Sequence, residues 1–390
     1  MENIRNLFNN RKKEQNFFDY TLLFVVLFLV GFGLIMIYSA SSYEANLDYN
    51  DPAYYLKRQA IAAFLGFIAM IVVSFVPAEL LSKFSFTYYV IGLVGIFLLL
   101  TPLGISANGA TRWLKTGVGF NLQPAEIAKL CMILFLAGVI CKMGKSLKTW
   151  KGFFVACLFP VPMCIAVWLI SNNLSSAIII FAIAYLMIFV ASPDYKKILM
   201  VTGIGVAVIA IFLVCVYFFV EPTTENFRLA RILAWYHPEA YAQDQGFQTL
   251  QSLYAIGSGG VFGKGLGKSM QKLDYIPEAQ NDMIFSILCE ELGLFGAFSV
   301  MFLFAILIWR CMVIANNAKD LYSALLVVGV MGHFAIQVLL NIAVVTNTIP
   351  NTGISLPFIS YGGSSILFLM IEVGIVLGVG RGIKLKDGRA

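Results

Sequence analysis

Residues 20–40 read YTLLFVVLFLVGFGLIMIYSA, a stretch of 21 residues without a charged side chain. An α-helix rises about 1.5 Å per residue, so roughly 20 apolar residues cross the hydrocarbon core of a bilayer. The stretch follows Arg11, Lys12 and Lys13, as the apolar part of a signal peptide would, but it is too long for a cleaved signal. It therefore predicts a membrane anchor that is retained.

The composition of the whole chain indicates the same environment. Of its 390 residues, 59% are hydrophobic and 12% are charged. Soluble domains have roughly 45–50% apolar and about 25% charged residues, and disordered chains have few apolar residues. The composition therefore excludes a soluble domain and a disordered chain, and the long unbroken apolar runs are unlike the short alternating strands of an outer-membrane barrel.

The apolar runs predict an all-α, polytopic membrane protein with about ten transmembrane helices. A run of about 20 apolar residues is the criterion for each span. The predicted spans lie near residues 20–40, 58–77, 86–103, 124–142, 152–170, 174–191, 197–219, 283–311, 321–346 and 361–381.

The distribution of Lys and Arg predicts the orientation of these spans. With the N-terminus inside, 17 of the 27 basic residues fall in cytoplasmic segments and nine in external ones. We therefore expect a multi-pass protein of the cytoplasmic membrane with both termini inside. The predicted parts are a basic tail (1–19), a membrane domain (20–381) and a cytoplasmic tail (382–390). One large external loop (221–282) lies between spans seven and eight, and its aromatic residues and the amphipathic pattern at 249–256 predict ordered helices.

The net charge of +6 is explained by these basic loops, so nucleic acid is not an expected partner. The seven cysteines lie in or near apolar spans without a CxxC pair, and the two histidines are far apart. This pattern favours neither a disulfide framework, nor a zinc site, nor histidine-based catalysis.

Ionisable residues within spans are functional candidates by default. Glu126 and Lys129 lie three positions apart at the start of the fourth span, so they project from one helix face and can pair. They form either a structural pair between helices or the polar wall of a substrate cavity. Arg112, in the preceding external loop, is either a solvated surface residue or part of the same site.

Two further segments contain candidate residues near the predicted outer face. The glycine-rich stretch 257–267, with Lys264 and Lys268 among the nearby lysines, is either a phosphate cradle or a flexible turn. Asp282 lies where the eighth span begins. It is either a helix N-cap or a general base, and both roles suit an ionised carboxylate at a helix N-terminus.

Residues 350–365 read PNTGISLPFISYGGSS and precede the last span. Their prolines, glycines and serines predict irregular backbone near membrane depth, which is tolerated where it is buried in protein or lines a cavity. Glu372 in the last span is expected to have a structural partner or to lie near the inner leaflet, and His333 is expected to make a helix–helix contact.

Together these motifs resemble the SEDS family (shape, elongation, division and sporulation), which includes FtsW, RodA and SpoVE proteins. Each motif is weak alone, but all occur in the family's order along nearly the whole chain. The matching residues are Gly109, Ala110, Arg112, Trp113, Gln123, Pro124, Glu126, Lys129, Arg228, Leu229, Arg231, Gln251–Leu253, Gly257–Gly267, Pro277, Glu278, Asp282, Ile284, Phe285, Pro350, Thr352, Gly353 and Leu356–Ser365.

The chain also departs from the family pattern. Ala125 replaces a serine, Gln280 and Asn281 replace a His-Thr pair, and a Pro-Asp-x-Gly-Thr motif becomes residues 172–176, NNLSS, without its carboxylate. The segments 38–42 and 341–346 look more like the division branch of the family than the elongation branch.

The resemblance implies a peptidoglycan glycosyltransferase that polymerises lipid II into β-1,4 glycan strands at the outer face of the membrane, with inversion. Asp282 is the implied base, and a divalent cation (Mg²⁺ or Mn²⁺) is a possible cofactor, with unknown ligands. The implied partners are a class B penicillin-binding protein, other division proteins and membrane lipids. The implied substrate-binding residues are Arg112, Glu126, Lys129, Arg228, Arg231, Ser360, Gly362, Gly363 and Ser364.

Three alternatives to a division polymerase follow from the same residues. A lipid II flippase would use a similar polar cavity without needing a base. A structural division scaffold would leave the Glu126–Lys129 pair without a task. An elongation or sporulation polymerase would share the chemistry and differ only in its cellular role.

Overall fold

The structure is a computed structural model that describes residues 18–383 except 108, 117–120, 193, 221–225 and 244–245. The two predicted cytoplasmic tails therefore lie almost entirely outside the described residues. The described residues comprise the membrane domain and most of the long loop.

Helices make up most of the described chain and strands occur there in one short hairpin, which confirms the prediction of an all-α polytopic protein. Nine helical segments are long and apolar enough to cross a membrane within the described residues, and Ser85–Leu100 is a shorter tenth. The helices are α1 Tyr20–Tyr49, α2 Tyr54–Val73, α3 Ala78–Lys83, α4 Ser85–Phe97, α5 Pro124–Met143, α6 Trp150–Leu158, α7 Val161–Ser171, α8 Leu174–Ala191, α9 Tyr195–Phe219, α10 Phe227–Tyr236, α11 Phe247–Gly259, α12 Ile284–Asn316, α13 Leu321–Val345 and α14 Gly363–Arg381.

The spans run alternately up and down, so connections gather at two ends of the bundle. At one end, Arg310 of α12 binds Asp19, the N-cap of α1, through two nitrogens, with the shortest distance 2.6 Å. We call this the terminal end, because α1 begins and α14 ends there. At the other end, which we call the loop end, Trp235 Nε1 of α10 donates to Asn347 O at 2.9 Å. The candidate catalytic residue Asp282 lies at the loop end.

Small residues let the core helices approach closely, as is usual where lipid provides no hydrophobic drive for helix association. Helix α14 packs along α2 at Gly374, where an added Cβ would lie 2.6 Å from Met70 O. In contrast, α9 is exposed along nearly its whole length. A helix that is apolar on every side is stable in this position only in contact with lipid or a partner.

The long loop contains the ordered helices that its sequence predicts, namely α10 and α11. An additional element, an antiparallel hairpin of β1 Gly104–Ala107 and β2 Ala110–Leu114, was not predicted. Its register pairs Gly104 with Leu114 and shifts at Ile105, so the alternation that would signal a strand is interrupted. The hairpin places Arg112 at the loop end.

The glycine-rich stretch packs against a break in α12 rather than forming a free turn. Gly293 has φ 66° and ψ −166°, which interrupts the helix. The stretch supplies the lost backbone hydrogen bonds: Lys264 N donates to Glu290 O at 2.9 Å, and Leu294 N donates to Gly260 O at 3.0 Å. A Cβ at Gly263 would lie 2.2 Å from Glu291 O, so this contact requires glycine.

Candidate functional site

Asp282 lies immediately before α12 but does not cap it. The N-cap position is Met283, and no side-chain cap hydrogen bond forms there among the described residues. Of the two roles that the sequence leaves open for Asp282, capping is therefore not observed. Its backbone is held instead by Asn341 of α13, whose Nδ2 donates to Asp282 O at 2.7 Å.

The surroundings of the Asp282 carboxyl favour proton exchange near neutral pH. The residue is partly exposed, but its carboxyl group is packed among protein atoms. Together its surroundings raise the pKa of Asp282 to about 6. Burial is the largest cause and the nearby Glu278 carboxylate also raises the pKa, whereas backbone hydrogen bonds and the Arg231 guanidinium lower it. A base whose pKa lies slightly below neutral is ionised at pH 7 yet can still take a proton.

The three candidate arginines form a group, of which Arg231 lies near enough to Asp282 to change its pKa. Arg112 Nη2 donates to Asn172 O at 3.4 Å, and Arg228 Nη2 donates to Asn172 Oδ1 at 2.7 Å. Arg231 Nη1 donates to Asn351 O at 3.4 Å. Burial lowers the pKa of Arg112 and of Arg231, yet a guanidinium group stays charged in proteins. We call these three residues the arginine cluster.

The segment that departs from the family pattern supports the arginine cluster. Asn172 takes a left-handed conformation (φ 49°) and joins Arg112 to Arg228 through two different oxygens. Asn173, at the position of the missing family carboxylate, caps α8 by accepting from Ser176 N at 3.0 Å. A neutral amide therefore stands where the family pattern has an acid.

Glu126 and Lys129 form a buried pair with an N–O distance of 2.8 Å, as their spacing predicts. The pair is part of a longer polar chain. Lys129 Nζ donates to Gln337 Oε1 at 3.2 Å, and His333 Nε2 lies 2.8 Å from the same oxygen. On its other side, His333 Nδ1 lies 2.8 Å from Glu372 Oε2. The predictions that His333 makes a helix–helix contact and that Glu372 has a structural partner are thus confirmed.

Residues 351–355 join the two groups of candidate residues. Asn351 O binds Arg231 and Ile354 O accepts from Asn341, while Ser355 O accepts from Gln337 Nε2 at 3.0 Å. A Cβ added to Gly353 would lie 3.6 Å from Asp282 Oδ2. Asp282, the arginine cluster and the Glu126–Lys129 pair therefore meet along a single five-residue segment.

In the predicted 360–365 turn, two of the candidate substrate-binding residues bind other parts of the protein. Ser360 Oγ accepts from Leu356 N at 2.7 Å, and Gly362 N donates to Gln59 Oε1 at 3.0 Å. Gly363 and the buried Ser364 begin α14. It is the neighbouring Ser365 whose Oγ reaches Glu126 Oε2, at 3.4 Å. A substrate role for Ser360, Gly362, Gly363 and Ser364 stays a prediction.

The structure also shows buried polar residues that the sequence analysis missed. Glu290 and Glu291 of α12 bind Lys264 at 2.6 Å and Lys272 at 2.9 Å, so two of the lysines near the glycine-rich stretch are paired with acids rather than arranged around a phosphate. Two adjacent acids inside an apolar span were a visible signal. The spacing of His333, Gln337 and Asn341, four residues apart, was another.

The described residues do not form an obvious cation site near Asp282. In this part of the chain, no three His, Cys, Asp or Glu side chains come together as a group that could hold a metal ion. A role for Mg²⁺ or Mn²⁺ stays a prediction.

The family model described as "Cell cycle protein", which covers FtsW, RodA and SpoVE proteins, matches residues 20–384. The chain belongs to this family. The match spans the membrane domain from the first residue of α1 to the end of α14, and it confirms the resemblance that the motifs indicate.

Relatives in this family are similar to the chain along nearly its full length. Stage V sporulation protein E of Bacillus subtilis is 38% identical over 93% of this chain and 97% of its own length. A probable peptidoglycan glycosyltransferase FtsW of Trichlorobacter lovleyi is 36% identical over 94% of both. The probable FtsW enzyme of Bacillus subtilis is 33% identical over 97% of this chain and 94% of its own.

Solved structures share the fold. One is a chain from a study of the structural coordination of polymerization and crosslinking by a peptidoglycan synthase complex, with a TM-score of 0.75, 25% identity and coverage of 93% of this chain and 98% of the other. The rod shape determining protein RodA of Thermus thermophilus has a TM-score of 0.65 and 26% identity, covering 95% of this chain and 98% of the other.

Proposed function

We propose that this chain is a peptidoglycan glycosyltransferase that polymerises lipid II at the outer face of the cytoplasmic membrane. The observation that carries the proposal is the position of Asp282, an acid with a pKa of about 6 beside the arginine cluster. Relatives named as peptidoglycan glycosyltransferases support it across nearly the whole chain. The orientation follows from the basic residues at the terminal end, which are typical of the cytoplasmic side.

In this reaction Asp282 acts as the general base. Its carboxylate takes the proton of the 4-hydroxyl of the acceptor N-acetylglucosamine, and the oxygen attacks the anomeric carbon of the donor N-acetylmuramic acid. Undecaprenyl pyrophosphate leaves, and inversion of the α-linked donor gives the β-1,4 bond. General base catalysis of this kind contributes about 10²–10⁴-fold to a rate.

The arginine cluster stabilises the leaving group in the same step. Negative charge on the bridging oxygen grows as the glycosidic bond breaks, and guanidinium groups bind phosphate oxygens through paired N–H donors. Asn172 holds Arg112 and Arg228 without neutralising them. The pyrophosphate therefore meets a preformed positive site next to the base.

The proposed partner is a class B penicillin-binding protein that cross-links the new strand. A structural relative comes from a study of a complex that couples polymerisation to crosslinking, which supports this partner. The cellular role that we favour is septum synthesis, together with other division proteins. Relatives with a sporulation name and with the FtsW name are similarly close, so this role rests on the division-like segments 38–42 and 341–346.

The test is polymerisation of purified lipid II by the full-length chain with its transpeptidase partner. We expect Asp282→Asn to lower the initial rate by at least about 100-fold, because an amide cannot accept the proton. Asp274→Asn is the matched control: Asp274 is an exposed acid in the same loop with φ 69°, a conformation that Asn tolerates. We expect it to keep the wild-type rate.

Two results would contradict the proposal. Polymerisation by Asp282→Asn at the wild-type rate would remove the base. A wild-type protein that moves lipid II across vesicle membranes but forms no glycan with its partner would favour a flippase, because transport needs no base at this position.

A further inference from the structure

Three polar side chains lie on one face of α13, within the membrane domain. His333, Gln337 and Asn341 are four residues apart and are each no more than 1% exposed. Polar groups at such depth are expensive unless they are hydrogen-bonded. Each of the three side chains is hydrogen-bonded to a different part of the chain, so this face of α13 connects several segments of the protein.

From His333 through Gln337 to Asn341, each residue lies about one helical turn nearer to the candidate catalytic site. His333 holds Glu372 of α14, and Gln337 holds Lys129 of α5 and Ser355. Asn341, nearest the loop end, holds the residue that we propose as the base. The contact of Asn341 with Asp282 is the last of these contacts toward the loop end.

Asn341 uses one nitrogen to bind two backbone carbonyls. Its Nδ2 donates to Asp282 O and to Ile354 O, both at 2.7 Å. A primary amide nitrogen has two hydrogens, so both are used. The amide thereby joins the backbone of Asp282 to the segment 351–355, whose Asn351 binds Arg231 of the arginine cluster.

The oxygen of the same amide plays no part in these contacts. Asn341 Oδ1 is buried and has no hydrogen-bond partner in the described part of the chain. A buried acceptor without a partner lowers stability, and an apolar side chain of similar size would avoid that loss. The residue is therefore explained by its two donors rather than by a contribution of its oxygen to folding.

We propose that Asn341 is a positioning residue for Asp282, fixing the base relative to the arginine cluster. The inference rests on the proposed function, since it assigns Asn341 a role in the same reaction. Leucine, serine and aspartate cannot replace the two donated hydrogen bonds at this position. Leucine has no donor, and serine is too short to join the two carbonyls from the α13 backbone. An ionised aspartate can only accept.

The test compares lipid II polymerisation by the full-length chain and its partner for the wild type and Asn341→Leu. We expect kcat to fall by about 10- to 100-fold, because a misplaced catalytic group costs rates of this size. We expect KM for lipid II to stay within about threefold, because Asn341 reaches backbone atoms of the site and not the arginine cluster itself.

The pH profile provides a readout that loss of stability alone would not change. Released from Asn341, the loop that carries Asp282 is expected to gain water around its carboxyl, which lowers a pKa that burial had raised. The acid limb of kcat/KM then moves to lower pH. The charged groups that face Asp282 are Glu278 from its own loop and Arg231 from α10, with Arg112 beside Arg231, and all three are retained in the variant.

Ser252→Ala is the matched control. Ser252 of α11 is buried, and its Oγ donates to Val345 O of α13 at 3.0 Å, about one turn beyond Asn341. The variant removes a buried hydrogen bond to the same helix without touching the Asp282 loop. We expect its kcat and its acid limb to match those of the wild type.

The outcomes separate this inference from the proposed function. A wild-type kcat and pH profile for Asn341→Leu, with Asp282→Asn inactive, would overturn only the positioning role. Should Asn341→Leu fail to fold, Asn341→Ala replaces it. Failure of both to fold would show a structural role and overturn the inference. Wild-type polymerisation by Asp282→Asn would overturn both.

Discussion

Single charges around Asp282 have opposite effects on its protonation. Burial is the largest cause of its raised pKa, and among the charges Glu278 raises the pKa whereas Arg231 lowers it. Because the base works only when ionised, kcat/KM should fall as the pH drops through about 6. An exposed aspartate would lose its charge about two pH units lower.

Replacing Glu278 tests this arrangement. Glu278→Gln keeps the shape of the side chain and an acceptor for Asn281 Nδ2, which donates to Glu278 Oε2 at 2.7 Å. Removal of the like charge lowers the pKa of Asp282, so the acid limb should move to lower pH, with little change in rate at pH 7. The measurement is the initial rate of lipid II polymerisation at about pH 4.5 to 8, a range that extends from near the ordinary pKa of a carboxyl group to above neutral pH. A limb that moves upward would contradict the assigned electrostatics.

At the scale of the elements, the glycine-rich stretch approaches α12 closely because Gly263 has no side chain at the contact. Gly263→Ala places a Cβ within 2.2 Å of Glu291 O and on a backbone with φ 78°. We expect a loss of about 1–3 kcal/mol in the free energy of unfolding from backbone strain alone. Polymerisation should fall as well, because the stretch leads to Asp282.

Gly257→Ala provides the comparison. Gly257 lies in α11, and an added Cβ would meet nothing within 4 Å. Alanine in a helix interior should stabilise the protein by about 0.5–1 kcal/mol. Thermal unfolding of both variants in detergent measures the difference. Equal melting temperatures for the two variants would show that the close approach of Gly263 to α12 has little energetic importance.

Element boundaries show how much of the fold the sequence could predict. The apolar spans are correct because run length alone determines them, but α1 continues through Ser41–Tyr49, where the side chains are too polar for a hydropathy criterion. The predicted span 152–170 is two helices, α6 and α7, divided near Pro160. Proline within an apolar run breaks the helix without changing its hydropathy.

The candidate site was predictable only in part, for a similar reason. Asp282 and Arg112 are identifiable as charged residues next to apolar spans, whereas Arg228 and Arg231 were implied by the resemblance to the SEDS family. Their neighbours are different: Asn172, Asn341 and residues 351–355 meet the site through backbone atoms or neutral amides. Contacts of this kind join segments far apart in the chain. Apart from the four-residue spacing of His333, Gln337 and Asn341, they leave no periodicity or charge pattern in the sequence.

At the scale of the whole molecule, the orientation can be tested directly. Lys268 at the loop end and Lys145 at the terminal end are both exposed. The variants are made in a background in which the exposed native cysteine, Cys215, is replaced by alanine. We expect Lys268→Cys to react with a membrane-impermeant maleimide in protoplasts or spheroplasts. Lys145→Cys should react only after the membrane is permeabilised. The reverse pattern would place Asp282 in the cytoplasm and exclude the proposed reaction.

The break at Gly293 divides α12 into two helical parts of unequal length. Asp282 precedes the shorter one, Ile284–Leu292, and the longer one runs from the break to the terminal end. The 260–265 strip is hydrogen-bonded to both parts. Lys264 N and Gly265 N donate to carbonyls of the shorter part, and Leu294 N of the longer part donates to Gly260 O. The strip therefore bridges the break, and backbone hydrogen bonds outside the helix fix the direction of the segment that follows Asp282 relative to the rest of α12.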